Sequence, residues 1–347
     1  MVTMTEVARA AGVSVSTVSH VVNGTRLVAP KTRERVHHAM RILGYQHHPT
    51  ARSLAAGSNQ TIGLAITAAS NPYWVELIQG IDGEATRAGL NLIIVDTRDD
   101  ARHESAAVAN LIAHHIEGLV IAPAVGWRDV TLPLLRDHPI PYVVVDRIDP
   151  ELRVDQVGVE NEAATAAVSD HLISLGHTRI GMLAGIQGLS TSSERLRGYH
   201  LAHQRAGVPV DPALVVDGSS TGDGGRRATL ELLELRSRPT AVFAANNNMT
   251  IGALAALRAA GVKVPRDLAV TVFDDFAWAD LFSPGLTTVA QPSAAIGARA
   301  VQLLLRRMND PGAPPQAVRL PAEIMHRESC GCVSRSGSVR SRCETSA

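Results

Sequence analysis

The chain lacks the features that would place it in a membrane or outside the cell. No apolar run approaches the roughly 18 residues of a membrane span. The N-terminus, Met-Val-Thr-Met-Thr-Glu-Val-Ala, has no basic stretch followed by an apolar core, so nothing resembles a secretory signal. A soluble, cytoplasmic protein is the expectation. Cysteine is also scarce: Cys330, Cys332 and Cys343 all fall in the last eighteen residues, where no disulfide or metal framework can organise a fold. Their C-x-C spacing is weak evidence for metal, and residues 330–347 read as a disordered, reduced tail. The chain is also read as lacking nucleophile-elbow (G-x-S-x-G), H-E-x-x-H, P-loop and G-x-G-x-x-G signatures. Neither catalysis, a metal nor a cofactor is therefore expected.

What the chain does have is length and an uneven charge. At 347 residues it exceeds what one core usually serves, so two or three folding units are expected. The formal net charge of zero conceals an asymmetry. Residues 1–60 carry seven basic side chains against two acidic ones, a net of +5, and the remainder carries 26 against 31, a net of −5. A basic head on an acidic body suits a chain that meets a phosphate backbone at one end. A solvated charged face gives the same count, so the pattern needs a fold to go with it.

The head supplies one. Thr3-x-x-Glu6 is a capping box, so a helix starts there; Gly12 ends it, and Ser14 caps a second helix over about 15–23. On that helix Val18, Val21 and Val22 share one face, while Val15, Ser16, Ser19, His20 and Asn23 share another. A third helix, begun by Pro30 and stopped by Gly44, offers Val36, Ala39, Met40 and Leu43 to close the core.

The runs Val7-Ala8 to Ala11-Gly12-Val13-Ser14, Thr17-Val18-Ser19-x-Val21-Val22-Asn23-Gly24, Thr32-Arg33-Glu34-Arg35-Val36 and Leu43-Gly44-Tyr45 closely resemble the head of the lactose-repressor/galactose-repressor family. The resemblance implies that the second helix enters the major groove of a pseudo-palindromic operator, with Val15, Ser16 and His20 at base-reading positions. Ser14, Ser19 and Asn23 would hold phosphates, with Thr3 and Thr17 beside them. Two departures stand out. His20 replaces the family's usual Arg, which leaves the operator sequence open, and Ala29 replaces a cap-forming Ser.

Residues 47–60 read as a hinge. Ala51-Arg52-Ser53-Leu54 resembles the family's hinge helix, too short to be stable alone, which drives a leucine into the minor groove; Leu54 is that residue here. The family's usual proline is replaced by His47. The adjacent pairs His47-His48 and His114-His115 point apart on either helix or strand and read as solvated.

From residue 61, short apolar runs alternate with helical stretches: Thr61–Thr67, Asn91–Asp96, Gly118–Ala122 and Pro141–Asp146, then Arg179–Ala184, Thr240–Ala245 and Leu268–Phe273. This is the pattern of an α/β body with parallel sheets in two lobes and a ligand at the strand ends. The expected domains are 1–46, a hinge at 47–60, and a body at 61–329 whose lobes are 61–160 plus 290–329, and 161–289. Further markers extend the resemblance to about residue 329, among them Ser70-Asn71-Pro72-Tyr73-Trp74, Val145-Asp146-Arg147, Arg195-Leu196-Arg197-Gly198-Tyr199 and Phe273-Asp274-Asp275.

By resemblance the body has the type I periplasmic-binding-protein fold, and Tyr73, Trp74, Asp146, Arg147, Arg195, Asn246 and Asp274 fall at or beside positions that hold a small-molecule effector. Asn246-Asn247 stands where the family has Asn-Asp, and Ser220 stands where an aromatic is common, which implies a wider or wetter pocket. The tail lacks the leucine heptads that tetramerise some relatives, so a homodimer is expected. The resulting reading is a transcription regulator, a repressor under effector control. A solute-binding protein or enzyme of two-lobed fold accounts for the body but not for the helix-turn-helix.

Overall fold

The computed structural model describes residues 2–23, 26–45, 59–67 and 71–332. The chain divides after Asn59 into two compact units. The first holds α1 (Met4–Ala11), α2 (Val15–Asn23) and α3 (Pro30–Leu43). Its helix bounds fall where local chemistry places them. Thr3 Oγ1 accepts the Glu6 amide at 3.3 Å while Glu6 Oε2 accepts the Thr3 amide at 2.7 Å, and Gly12 and Gly44 close α1 and α3 at φ 63°. Ala29 makes no side-chain cap, and Pro30 alone marks the start of α3. Val7, Val18 and Val36 are fully buried with Ala8, Ala11 and Ala39. Met40 and Leu43, expected on the closing face, are half-buried against that core.

The second unit begins with β1 (Thr61–Ile66), α4 (Pro72–Arg87), β2 (Asn91–Asp96), α5 (Ala101–Ala113), β3 (Gly118–Ile121), α6 (Trp127–Asp137), β4 (Tyr142–Val145) and β5 (Asp155–Val159). It continues with α7 (Asn161–Ser174), β6 (Ile180–Ala184), α8 (Ser190–Ala206), β7 (Val215–Asp217), α9 (Gly222–Glu234), β8 (Ala241–Ala244), α10 (Asn247–Ala259), β9 (Ala269–Phe273) and β10 (Thr287–Ala290). It ends with α11 (Ser293–Asn309), β11 (Ala317–Leu320) and β12 (Glu323–Met325). One sheet has the order β11-β5-β4-β3-β1-β2, entirely parallel; the other has β12-β10-β9-β8-β6-β7, parallel except for β12. Helices cover both faces, so strands such as β1, β3 and β9 are buried along their whole length and carry apolar side chains on both sides. Helices α4 and α11 pack with backbones touching: a Cβ at Gly80 would lie 2.1 Å from the Ala294 carbonyl oxygen, and one at Gly297 2.2 Å from that of Leu77. No helix of the described residues is long and apolar enough to cross a membrane.

Two expectations change. Residues 290–329 do not lie wholly in the first lobe, because β12 pairs antiparallel with β10 in the second sheet; the chain crosses between lobes three times. A three-residue strand held by its ladder leaves no periodicity to read. Residues 330–332 are likewise not a disordered tail. Glu328–Cys330 form a 3-10 turn and Cys330 is fully buried. Ser329 pins that turn: its hydroxyl accepts the Thr287 amide at 2.8 Å and donates to the Val270 carbonyl at 2.7 Å.

Candidate functional site

The sequence-selected body residues converge on a crevice of about 600 Å³, open mouth included, lined from both lobes. Strand ends and helix starts place the side chains. Asp146 follows β4 at φ 67° and Asp274 follows β9 at φ 81°, a left-handed conformation that Asp tolerates better than most residues. Asn71 caps α4 by accepting the Tyr73 amide at 3.0 Å. That cap positions the Tyr73 and Trp74 rings edge to face, with centroids 5.0 Å apart. Asn246 caps α10 by accepting the Met249 amide at 2.8 Å and donates to the Ser220 carbonyl at 3.2 Å.

Arg195, on α8, is an anchored cation of the crevice. Its Nε donates to Asn161 Oδ1 at 2.9 Å, its Nη1 to the Ala245 carbonyl at 2.6 Å, and its guanidinium carbon lies 3.7 Å from the Phe273 ring centroid. Its Nη2 makes no hydrogen bond among the described residues and is the nitrogen available to a ligand. Behind it, Asn161 Nδ2 donates to Glu194 Oε2 at 2.9 Å, and Arg319 donates to both Glu194 oxygens at 2.6 and 3.1 Å. A planar fork held this way is preorganised.

Two buried carboxylates complete the polar set, one from each lobe. Burial raises Asp146 above the ordinary carboxylate range, against the opposing pull of Arg147 and Arg195, and the Asp274 charge pushes it in the same direction as burial. Burial raises Asp274 too, opposed by Arg195, by the Gln291 amide at 2.5 Å and by the Asn247 backbone amide. The Tyr73 hydroxyl is buried without a well-formed hydrogen bond and lies against Asp146; burial holds it well above its usual value. Arg147 is less free than the sequence suggests. Asp99 binds its fork, with Nη2 to Oδ2 at 3.1 Å, and the Pro123 carbonyl takes Nη1 at 2.8 Å. Only Nε, 3.9 Å from Asp146, is left without a hydrogen bond.

Sequence reading missed Asp99, Gln291 and Ser192 among the lining residues; none belongs to a local motif. It also passed over Gly218-Ser219-Ser220-Thr221-Gly222, which does match G-x-S-x-G and lies between β7 and α9. Ser220 lines the crevice, but its hydroxyl accepts the Ile186 amide at 3.1 Å, and among the described residues no histidine lines the crevice to act as its base.

In the first unit, Ser14 Oγ accepts the Thr17 amide at 3.1 Å and meets the Ser16 and Thr17 hydroxyls at 2.8 Å each. Thr3, Val15 and Ser16 are exposed, whereas Thr17, Ser19 and His20 are half-buried. Asn23 ends α2. Arg35, counted among the basic groups of the head, is committed to the end of α1, donating to the Ala11 and Gly12 carbonyls. Leu54, with the whole hinge segment 51–54, lies outside the described residues, as do Ser70 and Cys343.

Comparison with known proteins agrees with this division. Residues 3–48 match the model of bacterial regulatory proteins, lacI family, and residues 169–330 match a periplasmic binding protein-like domain. The ribose operon repressor of Haemophilus influenzae is 34% identical, over 95% of this chain and 98% of its own. Among solved structures, a complex of the transcriptional regulator CelR with cellobiose is 32% identical, with TM-score 0.72, covering 95% of this chain and all of the other. The Lac repressor dimer bound to operator and the anti-inducer ONPF is 28% identical, with TM-score 0.84, covering 95% and 99%. The similarity runs over nearly the full length of each protein, and the chain belongs to the lacI family of bacterial regulatory proteins, as a DNA-binding repressor controlled by a small-molecule effector.

Proposed function

We propose that the effector is a small hydroxyl-rich molecule of the sugar class, and that its binding releases a homodimer of this chain from a pseudo-palindromic operator. One observation carries the reading: Asp146 and Asp274, buried on opposite lobes, face the same crevice as the anchored guanidinium of Arg195. Carboxylates accept hydroxyl protons, the guanidinium donates to hydroxyl oxygens, and the Tyr73 and Trp74 rings cover an apolar ring face. The cellobiose bound to CelR fits the same chemistry. A ligand that bridges both lobes favours their closed arrangement by its differential affinity. Coupling of about 1–3 kcal/mol to operator binding is the usual scale.

In this reading Val15, Ser16 and His20 read bases, while Thr3, Ser14, Thr17, Ser19 and Asn23 hold the backbone and Leu54 wedges the minor groove. Exposed apolar side chains of the second lobe, Leu281 at 84% and Ile251 at 48%, supply a face for the homodimer. The chain works as a cytoplasmic regulator and not as an enzyme; the Ser220 turn, without a histidine, supports that. A thermal-shift screen of sugars, nucleosides and small acids tests the proposal, since a ligand of the native state raises the melting temperature. The expected result is a shift with sugars that also lowers operator affinity. Shifts confined to acids or nucleosides overturn the effector class, and tighter operator binding overturns the sign.

A further inference from the structure

A second cluster lies away from the crevice. His171 on α7 and Cys330 and Cys332 at the end of the body bring one imidazole nitrogen and two sulfurs within 4.8 Å of one another. His171 Nε2 lies 3.3 Å from Cys330 Sγ, and the two sulfurs lie 2.8 Å apart. Residues 171 and 330 are 159 positions apart, so chance proximity along the chain is not the cause. Two bonds of about 2.3 Å at a tetrahedral angle separate sulfurs by about 3.8 Å, and one sulfur and one nitrogen by about 3.5 Å. The His171 to Cys330 spacing is already close to that, and a small rotation of the partly exposed Cys332 opens the other. His326 packs edge-on against the His171 ring, with centroids 4.5 Å apart, which helps to fix the imidazole plane.

We infer that His171, Cys330 and Cys332 form a binding site for a thiophilic divalent cation of the zinc class, with water in the fourth position. Two thiolates and an imidazole are the donors such an ion selects over oxygen-seeking magnesium or calcium. The turn that carries Cys330 is built for the purpose: Ser329 ties it to β9 and β10 through Val270 and Thr287, and Thr287 Oγ1 lies 3.2 Å from Cys330 Sγ. Val270 and Thr287 stand at the N-terminal ends of their strands, whereas Asp274 and Gln291 follow the C-terminal ends. The cluster therefore lies at the opposite end of these strands from the effector crevice, and the ion fastens the turn at Glu328–Cys330 to α7.

The test uses the full chain carrying Cys343→Ser, purified reduced and metal-free, and titrated with Co²⁺. One equivalent is expected to produce a thiolate-to-cobalt charge-transfer band with the d–d bands of a tetrahedral site, and Zn²⁺ is expected to displace it and raise the melting temperature. Cys332→Ser and His171→Gln each keep the metal-free melting temperature within a few degrees and weaken Co²⁺ binding by at least tenfold. Cys332 is chosen because Cys330 is fully buried and its replacement disturbs packing. The inference is overturned by the absence of a charge-transfer band in the reduced chain, or by an equal band in either variant. It is also overturned if the chain purified without reductant is two hydrogens lighter and the reduced form takes up no metal, which makes the cysteines a redox pair instead.

Discussion

Asp274→Asn separates ligand chemistry from folding. Asparagine matches aspartate in shape and tolerates the φ of 81° that the position requires. The carboxylate now receives two donors, the Gln291 side chain at 2.5 Å and the Asn247 backbone amide. An amide has one oxygen for them, so one bond of about 1 kcal/mol is weakened, while the cost of burying an ionised group disappears. The two effects offset, and stability should change by no more than about 1 kcal/mol at neutral pH. Effector binding has no such offset. A hydroxyl donating to a carboxylate makes a charge-assisted bond of about 1.5–3 kcal/mol, and its loss weakens affinity roughly 10- to 150-fold.

The pH dependence adds a second readout. Because burial raises Asp274 above its unfolded value, its contribution to stability is fully present below the ordinary carboxylate range and is lost as pH rises through the raised value. The asparagine variant has no such loss, so its stability relative to the parent should increase with pH across that window. Calorimetry with the sugar found by screening measures affinity, denaturant melts at several pH values measure the slope, and fluorescence anisotropy with labelled operator measures DNA binding. Effector affinity within threefold of the parent refutes the ligand role of Asp274. Loss of effector-free operator binding refutes the separation of reading head from crevice.

Three further outcomes follow from the same reasoning. Arg195→Lys keeps the charge but loses the anchoring bonds to Asn161 and Ala245 and most of the Phe273 stack, so effector affinity should fall at least about tenfold with effector-free operator binding unchanged; an unchanged calorimetric affinity speaks against a guanidinium contact with the effector. Leu54→Ala should weaken specific operator binding by on the order of 1–3 kcal/mol while salt-dependent binding to random DNA stays near the parent value. Equal losses on both would remove the wedge. His20→Gln should alter preference at one base pair of each half-site, read by competition among single-base operator variants; an unchanged preference profile assigns His20 no reading role.

The parts of this protein that could be read from sequence are those whose causes are local. The three head helices follow from a capping box, a proline start and glycine stops, each confined to four or five residues, and their bounds fall where those signals lie. The longer buried strands announce themselves because helices on both faces demand continuous apolar runs. Tyr73, Trp74, Arg195 and Asp274 stand in runs shared with a known family. The partners that fix those side chains were not legible, because the contacts come from folding and not from spacing. Asp99 holds Arg147 from 48 residues away, Asn161 holds Arg195 from 34, and Arg319 holds Glu194 from 125. Cys330 looked like part of a polar tail because what buries it, a turn against β9 and β10, is invisible in a Ser- and Arg-rich stretch.

Those distant partners share a location that bears on how the effector signal arises. The chain crosses between lobes at three places, and each crossing supplies a group to the ligand-binding apparatus. Asn161, just past the first, accepts Arg195 Nε; Gln291, in the second, donates to Asp274; Arg319, just before the third, grips Glu194 beside Arg195. A ligand that draws on Arg195 and Asp274 therefore pulls on side chains whose other contacts are the hinge segments themselves. Such wiring couples ligand contact to the crossings, because the Asp274 carboxylate and the Arg195 guanidinium are each bonded to a side chain at a crossing. The site also holds two buried carboxylates raised by burial. Buried carboxylates are held at a cost, and under the proposed function a ligand whose hydroxyls donate to both lowers it. Under the proposed function, the difference in affinity between two lobe arrangements, which is the only quantity that can move the equilibrium, is expected to reside in Asp274 and Arg195, the two groups tied to the crossings.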